Sequence, residues 1–279
     1  MLWPYCSGVV EEVNVADPGQ FKVGDEVIGT WAAFGVGGMA EYAIVSTKLA
    51  MLKPVGVSAV EGAALVNSSV HAMLMLDRAQ LKGDERVLVI GGSGGVGSTL
   101  VQLAKSAGAS FVAAVSTDEP MLKTLGVDRV VNYKEENFWE VPDFARQPFD
   151  VIFDCAVGVA AWKKARNVLK PRGDGGRFIA GVFNEWTMHC ERLWQLPGIL
   201  LPPFSRQLRS SFGKSPRYEV HLGEINAKGI ERMCKLVEEN KFKVAIDPAS
   251  PFPFTVHGVA DAFNLLRGRG GHGKIVVAM

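Results

Sequence analysis

The sequence has few of the residues that build metal sites or disulfide scaffolds. Its 279 residues include only four cysteines, Cys6, Cys155, Cys190 and Cys234, and no two of them have CxxC spacing. A zinc lobe requires closely spaced cysteine or histidine ligands, and a disulfide scaffold requires a much higher density of cysteine. We therefore expect reduced thiols and no metal.

Charge of one sign is not in excess either. The sequence contains 30 Lys and Arg residues against 29 Asp and Glu residues. Such a balance gives no net field that would draw the chain to a nucleic acid or to an anionic membrane surface. We expect no nucleic-acid partner, and any phosphate group must be bound by a local site.

Long apolar runs are also missing outside the strand-and-helix region described below. The longest such run, residues 196–204, is broken by Pro and Gly and is far shorter than the ~20 residues of a membrane span. The first residues, MLWPYCSGVVEEV, have neither the pattern of a secretory signal nor that of a transit peptide. We expect no membrane span, and the compartment is left open between cytoplasm and mitochondrion.

The first part of the chain has the pattern of a small β lobe followed by a helix. Short β-type runs at residues 8–13, 26–28 and 40–45 are separated by Pro-Gly, Gly-Asp and Gly-rich turns. Residues 61–76 are mostly Ala, Leu, Met and Val, which is typical of a buried helix.

Strands and helices alternate through the middle of the chain. An apolar strand at residues 86–90 leads through a glycine turn at 91–97 into apolar residues at helical spacing, which end at Gly108. Further buried strands are predicted at residues 111–116, 129–133, 151–156 and 177–182, with a helical segment at 162–169. This alternation predicts an α/β fold with a parallel, doubly wound sheet.

The last third of the chain is less regular. Residues 183–217 contain Trp and Pro and are predicted to be irregular, residues 218–222 to form a sixth strand, and residues 230–239 to form a helix. Residues 275–278 are predicted to form one more strand.

The glycine turn carries the strongest chemical signal. Gly92, Gly94 and Gly97 have GxGxxG spacing directly after a strand and directly before a helix. Glycines let the backbone approach a pyrophosphate, whose charge is met by the amides and the dipole of the helix N-terminus. The alternative is a turn that binds nothing, but the alternating strands around it favour dinucleotide binding.

The end of the second strand of this unit indicates which dinucleotide is bound. An acid at that position would hold a ribose 2′-hydroxyl and favour NAD, whereas Ser116 and Thr117 leave room for a 2′-phosphate. Asp118 follows directly and counts against this interpretation, but the pattern favours NADPH. Tyr133, which closes the third strand, either places its hydroxyl over the adenosine phosphate or packs at the sheet edge.

No residue is a convincing proton donor, so catalytic residues stay unassigned. Tyr42 and His71 are the nearest candidates for protonating a product or polarising a carbonyl group. Each has an equally good structural explanation, as a strand aromatic and as a helix residue, respectively.

Seven motifs resemble those of a known superfamily. SGVVEEV, FKVGDEVIG, GGMAEYAIV, GGSGGVGSTLVQLAK, LGVDRVVNY, FDVIFDCAVG and GKIVV occur in the order typical of medium-chain dehydrogenases/reductases, over essentially the whole chain. Within that superfamily, the sequence is most similar to the zinc-free quinone oxidoreductases, including zeta-crystallin-type enzymes and the mitochondrial reticulon-interacting oxidoreductase.

The resemblance implies a domain plan and a reaction. Residues 1–62 would be a GroES-like substrate domain that is incomplete at its N-terminus, residues 63–223 a Rossmann NADPH-binding domain, and residues 224–279 a segment returning to the substrate domain. The reaction would be hydride transfer from NADPH to a quinone or activated enone without zinc, since Pro4 and Tyr5 stand where zinc-dependent relatives have Gly-His-Glu. The motif and the resemblance together predict these cofactor contacts: Gly92, Ser93, Gly94, Gly95, Val96, Gly97, Ser116, Thr117 and Tyr133.

Departures from the family pattern leave alternatives open. His71 replaces a usual threonine, His272 replaces a usual arginine, and the first strands of the substrate domain are expected to be missing. Val66-Asn67 is similar to the mitochondrial enoyl reductases and suggests an enoyl-thioester (enoyl-CoA or enoyl-ACP) reductase as an alternative. A third interpretation is a catalytically weak NADPH-binding or partner-binding protein. Relatives pair through the last strand of the sheet, so a homodimer through residues 218–222 is expected.

Overall fold

The computed structural model describes residues 5–14, 19–31, 37–182, 195–212, 215–221 and 225–279. The chain divides into two compact units. One unit comprises Met1–Met73 together with Glu224–Met279, and the other comprises Leu74–Gly223. The fold is α/β, as predicted from the sequence, and the main sheet lies in the second unit.

The chain begins with a small antiparallel sheet. Its strands are β1 (Tyr5–Val9), β2 (Glu26–Thr30) and β3 (Ala50–Leu52), in the order β1-β2-β3. A 3-10 turn at Thr47–Leu49 precedes β3. The β structure predicted at residues 26–28 is confirmed, and the strand predicted at 8–13 begins and ends earlier than expected.

The strand predicted at residues 40–45 is wrong. This segment has no regular structure, and the side chains of Tyr42 and Ile44 are 76% and 94% exposed. β2 pairs with β1 on one side and with β3 on the other, and the segment does not add to the outer edge of either neighbour, so its backbone gains no ladder. The Trp31 indole N–H donates to the Ile44 carbonyl oxygen at 2.7 Å and ties the segment to the end of β2.

A long helix, α1 (Ala59–Ala79), follows and contains the predicted helix at residues 61–76. A capping box starts it: the Ser58 hydroxyl accepts from the Glu61 N–H at 3.2 Å, and the Glu61 carboxylate accepts from the Ser58 N–H at 2.9 Å. Within the described part of the chain, α1 is the one helix long and apolar enough to cross a membrane by length and composition alone. A buried core helix passes the same test, and α1 is largely buried, with Leu65 fully enclosed.

The second unit contains a six-stranded parallel sheet. Its strands are β4 (Arg86–Ile90), β5 (Phe111–Val115), β6 (Arg129–Val131), β7 (Val151–Asp154), β8 (Arg177–Ala180) and β9 (Arg217–Val220). Its helices are α2 (Gly95–Ser106), α3 (Glu119–Thr124), α4 (Pro142–Arg146), α5 (Val159–Ala165) and α6 (Leu196–Ser210). The predicted doubly wound parallel sheet is confirmed.

The strand order of this sheet is β6-β5-β4-β7-β8-β9. The chain runs outward from β4 to β6, returns to the other side of β4 at β7, and then runs outward to β9. The order therefore reverses between β4 and β7. Open α/β sheets bind ligands at such a reversal, beyond the carboxyl ends of the strands.

Aromatic rings fill the core of this unit. Trp162 packs edge-on against Phe178 and Tyr218, with ring centroids 5.3 Å and 5.0 Å away. Phe144 packs in the same manner on Phe149, at 4.7 Å. Edge-to-face packing of buried rings adds stability beyond the buried area itself.

Helix α6 corrects the prediction that residues 183–217 are irregular, as far as they are described. Pro197 lies in its first turn, where a missing N–H costs little, but Pro202 and Pro203 lie inside it. These prolines argued against a helix in the sequence. Residues 183–194 lie outside the described residues.

The contact of α6 with β9 explains why the helix forms despite its prolines. β9 is the edge strand, as predicted, and its outward N–H groups are satisfied by α6. The Tyr218 N–H donates to the Ser210 hydroxyl at 2.9 Å, and the Val220 N–H donates to Gln207 Oε1 at 3.1 Å. The edge that was expected to pair with another strand is therefore covered at these two positions.

The chain ends with α7 (Ala227–Glu238), β10 (Phe252–Pro253), α8 (Val256–Arg267) and β11 (Val277–Ala278), and β10 pairs with β11 in parallel. The helix predicted at 230–239 and the strand predicted at 275–278 are confirmed with small shifts. Helix α8 was not predicted, although Thr255 provides an N-cap signal and its side chain accepts from the Gly258 N–H.

Candidate functional site

The turn between β4 and α2 contains the predicted glycine motif. Gly91 has a positive φ of 82°, and the N–H groups of Gly91 and Gly92 both donate to the Val115 carbonyl oxygen at 3.1 Å. These bonds tie the turn to the end of β5. The chain therefore passes directly from the carboxyl end of β4 into α2.

The three motif glycines have different roles. A Cβ on Gly92 would lie 2.6 Å from the Ala114 Cβ, and a Cβ on Gly97 would lie 2.1 Å from the Gly91 carbonyl oxygen. These two glycines allow the turn to pack on β5 and α2 to pack on the turn. A Cβ on Gly94 would meet only the Gly91 carbonyl oxygen, at an ordinary 3.5 Å. Packing does not require Gly94, but its bare backbone suits the close approach of a ligand.

The N-terminus of α2 is suited to a negatively charged group. Gly94 is the N-cap and provides no side-chain cap, and the Ser98 N–H donates to the Gly94 carbonyl oxygen at 2.9 Å. The N–H groups of Gly95, Val96 and Gly97 precede this bond and have no acceptor within the helix. Gly95 and Val96 are also partly exposed. Together with the helix dipole, these amides can hold a pyrophosphate.

A pair of buried hydroxyls lies beside this turn at the end of β5. The Ser116 hydroxyl donates to Ser93 Oγ at 2.7 Å and accepts from the Asp118 N–H at 3.1 Å. The Asp118 carboxylate caps α3 instead, by accepting from the Met121 N–H at 3.0 Å. The acid that counted against NADPH in the sequence is therefore engaged with α3, and the strand end itself carries hydroxyls.

The ends of β5 and β6 are neighbours. The Ser116 N–H donates to the Val131 carbonyl oxygen at 3.0 Å. Thr117 is half-buried just after Ser116, and Tyr133 follows β6 with its side chain 55% exposed. Because the strands are parallel, their carboxyl ends lie at one edge of the sheet. The structure thus brings the predicted cofactor residues, from Gly92 to Tyr133, to the same edge.

A partly buried polar cluster in the first unit surrounds Lys274, a residue that sequence reasoning missed. Its ammonium donates to the Ser68 hydroxyl at 2.9 Å and lies 4.0 Å from the centroid of the Tyr5 ring. Burial lowers the pKa of Lys274 to about 7. Burial and, to a lesser degree, the Lys274 charge lower the pKa of His71. The only signal in the sequence was the position of Lys274 in GKIVV.

The two weak catalytic candidates have different environments. His71 lies on α1 and is partly buried, and this burial lowers its pKa, so its neutral form is favoured at neutral pH. Tyr42 lies in the irregular segment with its ring largely in solvent. The structure therefore places His71, and not Tyr42, within a polar cluster.

Of the three described cysteines, Cys234 is buried and Cys6 and Cys155 are partly buried. Cys6, Cys155 and Cys234 are free, and burial raises the pKa of each, to about 11 for Cys6 and Cys234. Cys190 lies outside the described residues. Across the ranges that the structure describes, no group of three or more His, Cys, Asp or Glu side chains could hold a metal ion.

Comparisons with known proteins show the relatives of the chain. Residues 125–277, more than half of the chain, match a family profile described as zinc-binding dehydrogenase. Over 97% of its length, the chain is 34% identical to the 2-methylene-furan-3-one reductase of Solanum lycopersicum and covers 61% of that protein. It is 32% identical, again over 97% of its length, to the NADPH-dependent alkenal/one oxidoreductase, chloroplastic, of Arabidopsis thaliana and covers 62% of it. It thus spans about three fifths of the length of these two relatives.

A mitochondrial relative and two solved structures are also similar. The chain is 28% identical over 97% of its length to NAD(P)H oxidoreductase RTN4IP1, mitochondrial, of Bos taurus, and covers 68% of that protein. The quinone oxidoreductase from Coxiella burnetii matches all of this chain with a TM-score of 0.75 at 25% identity, and 79% of that chain is covered. The CurF ER cyclopropanase from the curacin A biosynthetic pathway also matches all of this chain, with a TM-score of 0.75 at 26% identity and 78% of that chain covered.

The description of the matched family implies zinc, but the described residues do not fit a zinc site, because the required cluster of donor side chains is not found among them. The parallel sheet, the glycine turn and the relatives nevertheless agree on one lineage. The chain belongs to the zinc-binding dehydrogenase family of the medium-chain dehydrogenase/reductase superfamily, in its quinone oxidoreductase-like branch.

Proposed function

We propose that this chain is an NADPH-dependent oxidoreductase that transfers hydride to a quinone or an activated enone. The observation that carries the proposal is the glycine turn, in which an N-cap without a side chain faces the strand end that bears Ser116. The names of the relatives, an alkenal/one oxidoreductase and a furanone reductase, support an enone in particular.

The proposed cofactor contacts divide into three groups. Gly94, Gly95 and Val96 offer backbone amides to the pyrophosphate, while Gly92 and Gly97 shape the turn. Ser93, Ser116 and Thr117 receive the 2′-phosphate, and Tyr133 lies over the adenosine side of the site. Bound NADPH would supply the hydride, and the residues of the chain hold and orient it.

We assign the domains as predicted from the sequence. Residues 1–62 belong to a GroES-like substrate domain, residues 63–223 form the Rossmann domain, and residues 224–279 return to the substrate domain. The division into two compact units, with the last residues joining the first, supports this plan. His71 is the better of the two catalytic candidates because it lies beside Lys274, whereas Tyr42 is exposed.

The cofactor preference is tested with Ser116→Asp. A carboxylate at this buried position would repel a 2′-phosphate and could hold a ribose hydroxyl. Fluorescence titration should show NADPH binding weakened by about tenfold or more, while NADH binding is kept or improved. Ser116→Ala is the control, because it removes the hydroxyl without adding charge. Equal loss of both nucleotides in Ser116→Asp, with the fold intact, would contradict the assignment.

The reaction is tested by a panel of quinones and enones assayed with NADPH. An enoyl-thioester reductase is the second candidate, supported by the similarity to the CurF ER cyclopropanase. Of the pair that suggested it, Val66 is buried in the core and only Asn67 is partly exposed. Turnover of crotonyl-CoA without turnover of free enones would favour this alternative.

A catalytically weak NADPH-binding or partner-binding protein is the third candidate. It predicts tight NADPH binding without oxidation of NADPH by any quinone, enone or enoyl thioester.

We propose a homodimer, but through α6 and not by strand pairing at β9. Leu201, Phe204 and Leu208 on α6 are 43% to 64% exposed at three- and four-residue spacing, so they form one apolar stripe, and Phe212, which is 72% exposed, follows just after the helix. A stripe of this kind can pack on its own copy across a two-fold axis. Light scattering should detect a dimer, and Leu201→Glu with Leu208→Glu should give a folded monomer. An unchanged mass would contradict the use of this stripe.

For the compartment, the relatives favour an organelle over the cytoplasm. Their names include a chloroplastic and a mitochondrial protein, which supports the mitochondrial option. Imaging of a fluorescent fusion of the full-length gene product tests this.

A further inference from the structure

Asp154, the last residue of β7, is a buried acid with an unusual set of partners. Its side chain is fully buried. One carboxylate oxygen accepts from the N–H groups of Ala156 at 3.0 Å and Val157 at 2.9 Å, and the other accepts from the Gly158 N–H at 2.6 Å. All three bonds run to the turn that follows, so the carboxylate fixes the backbone between β7 and α5.

This turn packs directly on the glycine turn. Asp154 is in register with Ile90 at the end of β4, and the Cys155 N–H donates to the Ile90 carbonyl oxygen at 3.0 Å. The Ala156 methyl occupies the space in front of Gly91, where an added Cβ would lie only 2.8 Å from it. The two turns therefore touch at the point where the strand order reverses.

We propose that Asp154 is a positioning residue for dinucleotide binding: its carboxylate holds Ala156 against Gly91 and so fixes the shape of the turn that receives the pyrophosphate. The inference rests on the proposed function, because it takes the glycine turn as the binding site. Asp154 acts through Ala156 and Gly91 and has no direct contact with the cofactor.

The arrangement makes binding depend on the charge of Asp154. Burial raises the pKa of Asp154 to about 6, although the three N–H donors lower it. Both oxygens accept N–H groups, so protonation removes the negative charge that strengthens all three bonds of the turn, and a proton on the oxygen that accepts from Ala156 and Val157 would also displace one of them. Cofactor affinity should therefore be complete at pH values well above 6 and should fall as the pH drops through about 6.

The groups that interact with the Asp154 charge do not explain such a dependence, and Lys274 and His71, which titrate in or below this range, are unchanged in the variants compared below. The groups that interact with the Asp154 charge are the Cys155 thiol beside it and the Tyr218 hydroxyl on β9, and burial raises the pKa of both. Neither changes charge between about pH 5 and pH 8. The 2′-phosphate of the cofactor itself titrates near pH 6, so the comparison must be made between variants of the protein.

The test compares Asp154→Asn with Asp150→Asn. Asp150 lies at the other end of β7, where its carboxylate accepts from the Arg86 N–H at 2.9 Å and from the Lys170 ammonium at 2.6 Å. NADPH is titrated by fluorescence between about pH 5 and pH 8, and melting is followed by circular dichroism. At pH 7.5, Asp154→Asn should raise the Kd for NADPH about tenfold, which corresponds to the cost of one unsatisfied buried donor. The Kd of this variant should also change less with pH near pH 6 than the Kd of the wild type does. Asp150→Asn should keep the wild-type Kd and its pH profile.

The outcomes separate this inference from the proposed function. A wild-type protein that does not bind NADPH overturns the proposed function. A folded Asp154→Asn protein with the wild-type Kd and pH profile overturns only the positioning role. If Asp154→Asn does not fold, Ala156→Gly provides the test of the positioning role, because it removes the contact with Gly91 and keeps the Asp154 carboxylate. It should raise the Kd while keeping the pH profile, and an unchanged Kd overturns the inference.

Discussion

Gly97→Ala tests how tightly α2 is held on the glycine turn. The added Cβ would lie 2.1 Å from the Gly91 carbonyl oxygen, 2.8 Å from its carbonyl carbon and 2.9 Å from the Gly92 Cα. All three are backbone atoms, so no side-chain rotation relieves the clash and α2 must move. Overpacking costs ~1–3 kcal/mol, and a collision with backbone belongs at the upper end, about 3 kcal/mol. For a domain of this size, the melting temperature should fall by about 6–12 °C.

Gly94→Ala is the matched substitution, three residues away in the same motif. Its Cβ would meet only the Gly91 carbonyl oxygen at 3.5 Å, and its φ of −72° suits alanine. Loss of the glycine N-cap costs about 1 kcal/mol at most, so the protein should melt within about 4 °C of wild type. The methyl group would nevertheless stand where the pyrophosphate approaches, and NADPH affinity should fall by about tenfold or more.

Thermal melting by circular dichroism and NADPH titration by fluorescence, on both variants, separate the two effects. The expected result is a crossed pattern, in which Gly97→Ala loses mainly stability and Gly94→Ala loses mainly affinity. If Gly94→Ala binds NADPH as tightly as the wild type does, the pyrophosphate does not approach this backbone. If Gly97→Ala melts at the wild-type temperature, α2 is free to shift, and the packing argument fails.

Other features of the structure give three more predictions. Because the pKa of Lys274 is 10.5 in the unfolded chain and about 7 after folding, the folded state loses stability as the pH falls between these values. Lys274→Met should raise the free energy of unfolding in urea by about 2–4 kcal/mol at pH 7 and by less at pH 9; equal gains would contradict this. In Cys190→Ser, Ellman's reagent should label no thiol rapidly before denaturant is added, because burial raises the pKa of Cys6, Cys155 and Cys234. Trp162→Ala should cost ~3–5 kcal/mol in urea unfolding, since this ring packs on Phe178 and Tyr218, and the half-buried Trp139→Ala should cost less than half as much.

The sequence predicted the second unit well because its signals are local. Apolar strands, a glycine turn and helical spacing specify β4, α2 and β5 from neighbouring residues alone, and the parallel sheet follows from their alternation. The segment at residues 40–45 shows where prediction from local patterns fails. Its β-type pattern suits a strand, but a strand forms only where the segment docks on a neighbouring strand, and it joins neither β2, which is paired on both sides, nor the outer edges of β1 and β3.

The prediction for α6 was wrong for the opposite reason. Its prolines are a local signal against a helix, but Ser210 and Gln207 bind the outward N–H groups of β9. These two hydrogen bonds and the packing of α6 on β9 offset the cost of Pro202 and Pro203, and this tertiary contact leaves no trace in a local sequence pattern.

The residues of the candidate site also divide into those with a local sequence signal and those that depend on tertiary contacts. Residues that meet the cofactor through their own backbone, such as Gly94 and Val96, are visible as a motif because the chemistry requires glycine at fixed spacing. Asp154 acts through a contact between two turns that are more than sixty residues apart in the chain, Gly91 and Ala156. The sequence does contain a trace of it: a charged residue at the end of the buried run VIFD must find donors, and with no cation nearby in the sequence the following backbone is the nearest source. A lone acid at the end of a buried parallel strand therefore indicates a turn whose backbone conformation is fixed by that acid. In this protein, that turn packs on the glycine motif.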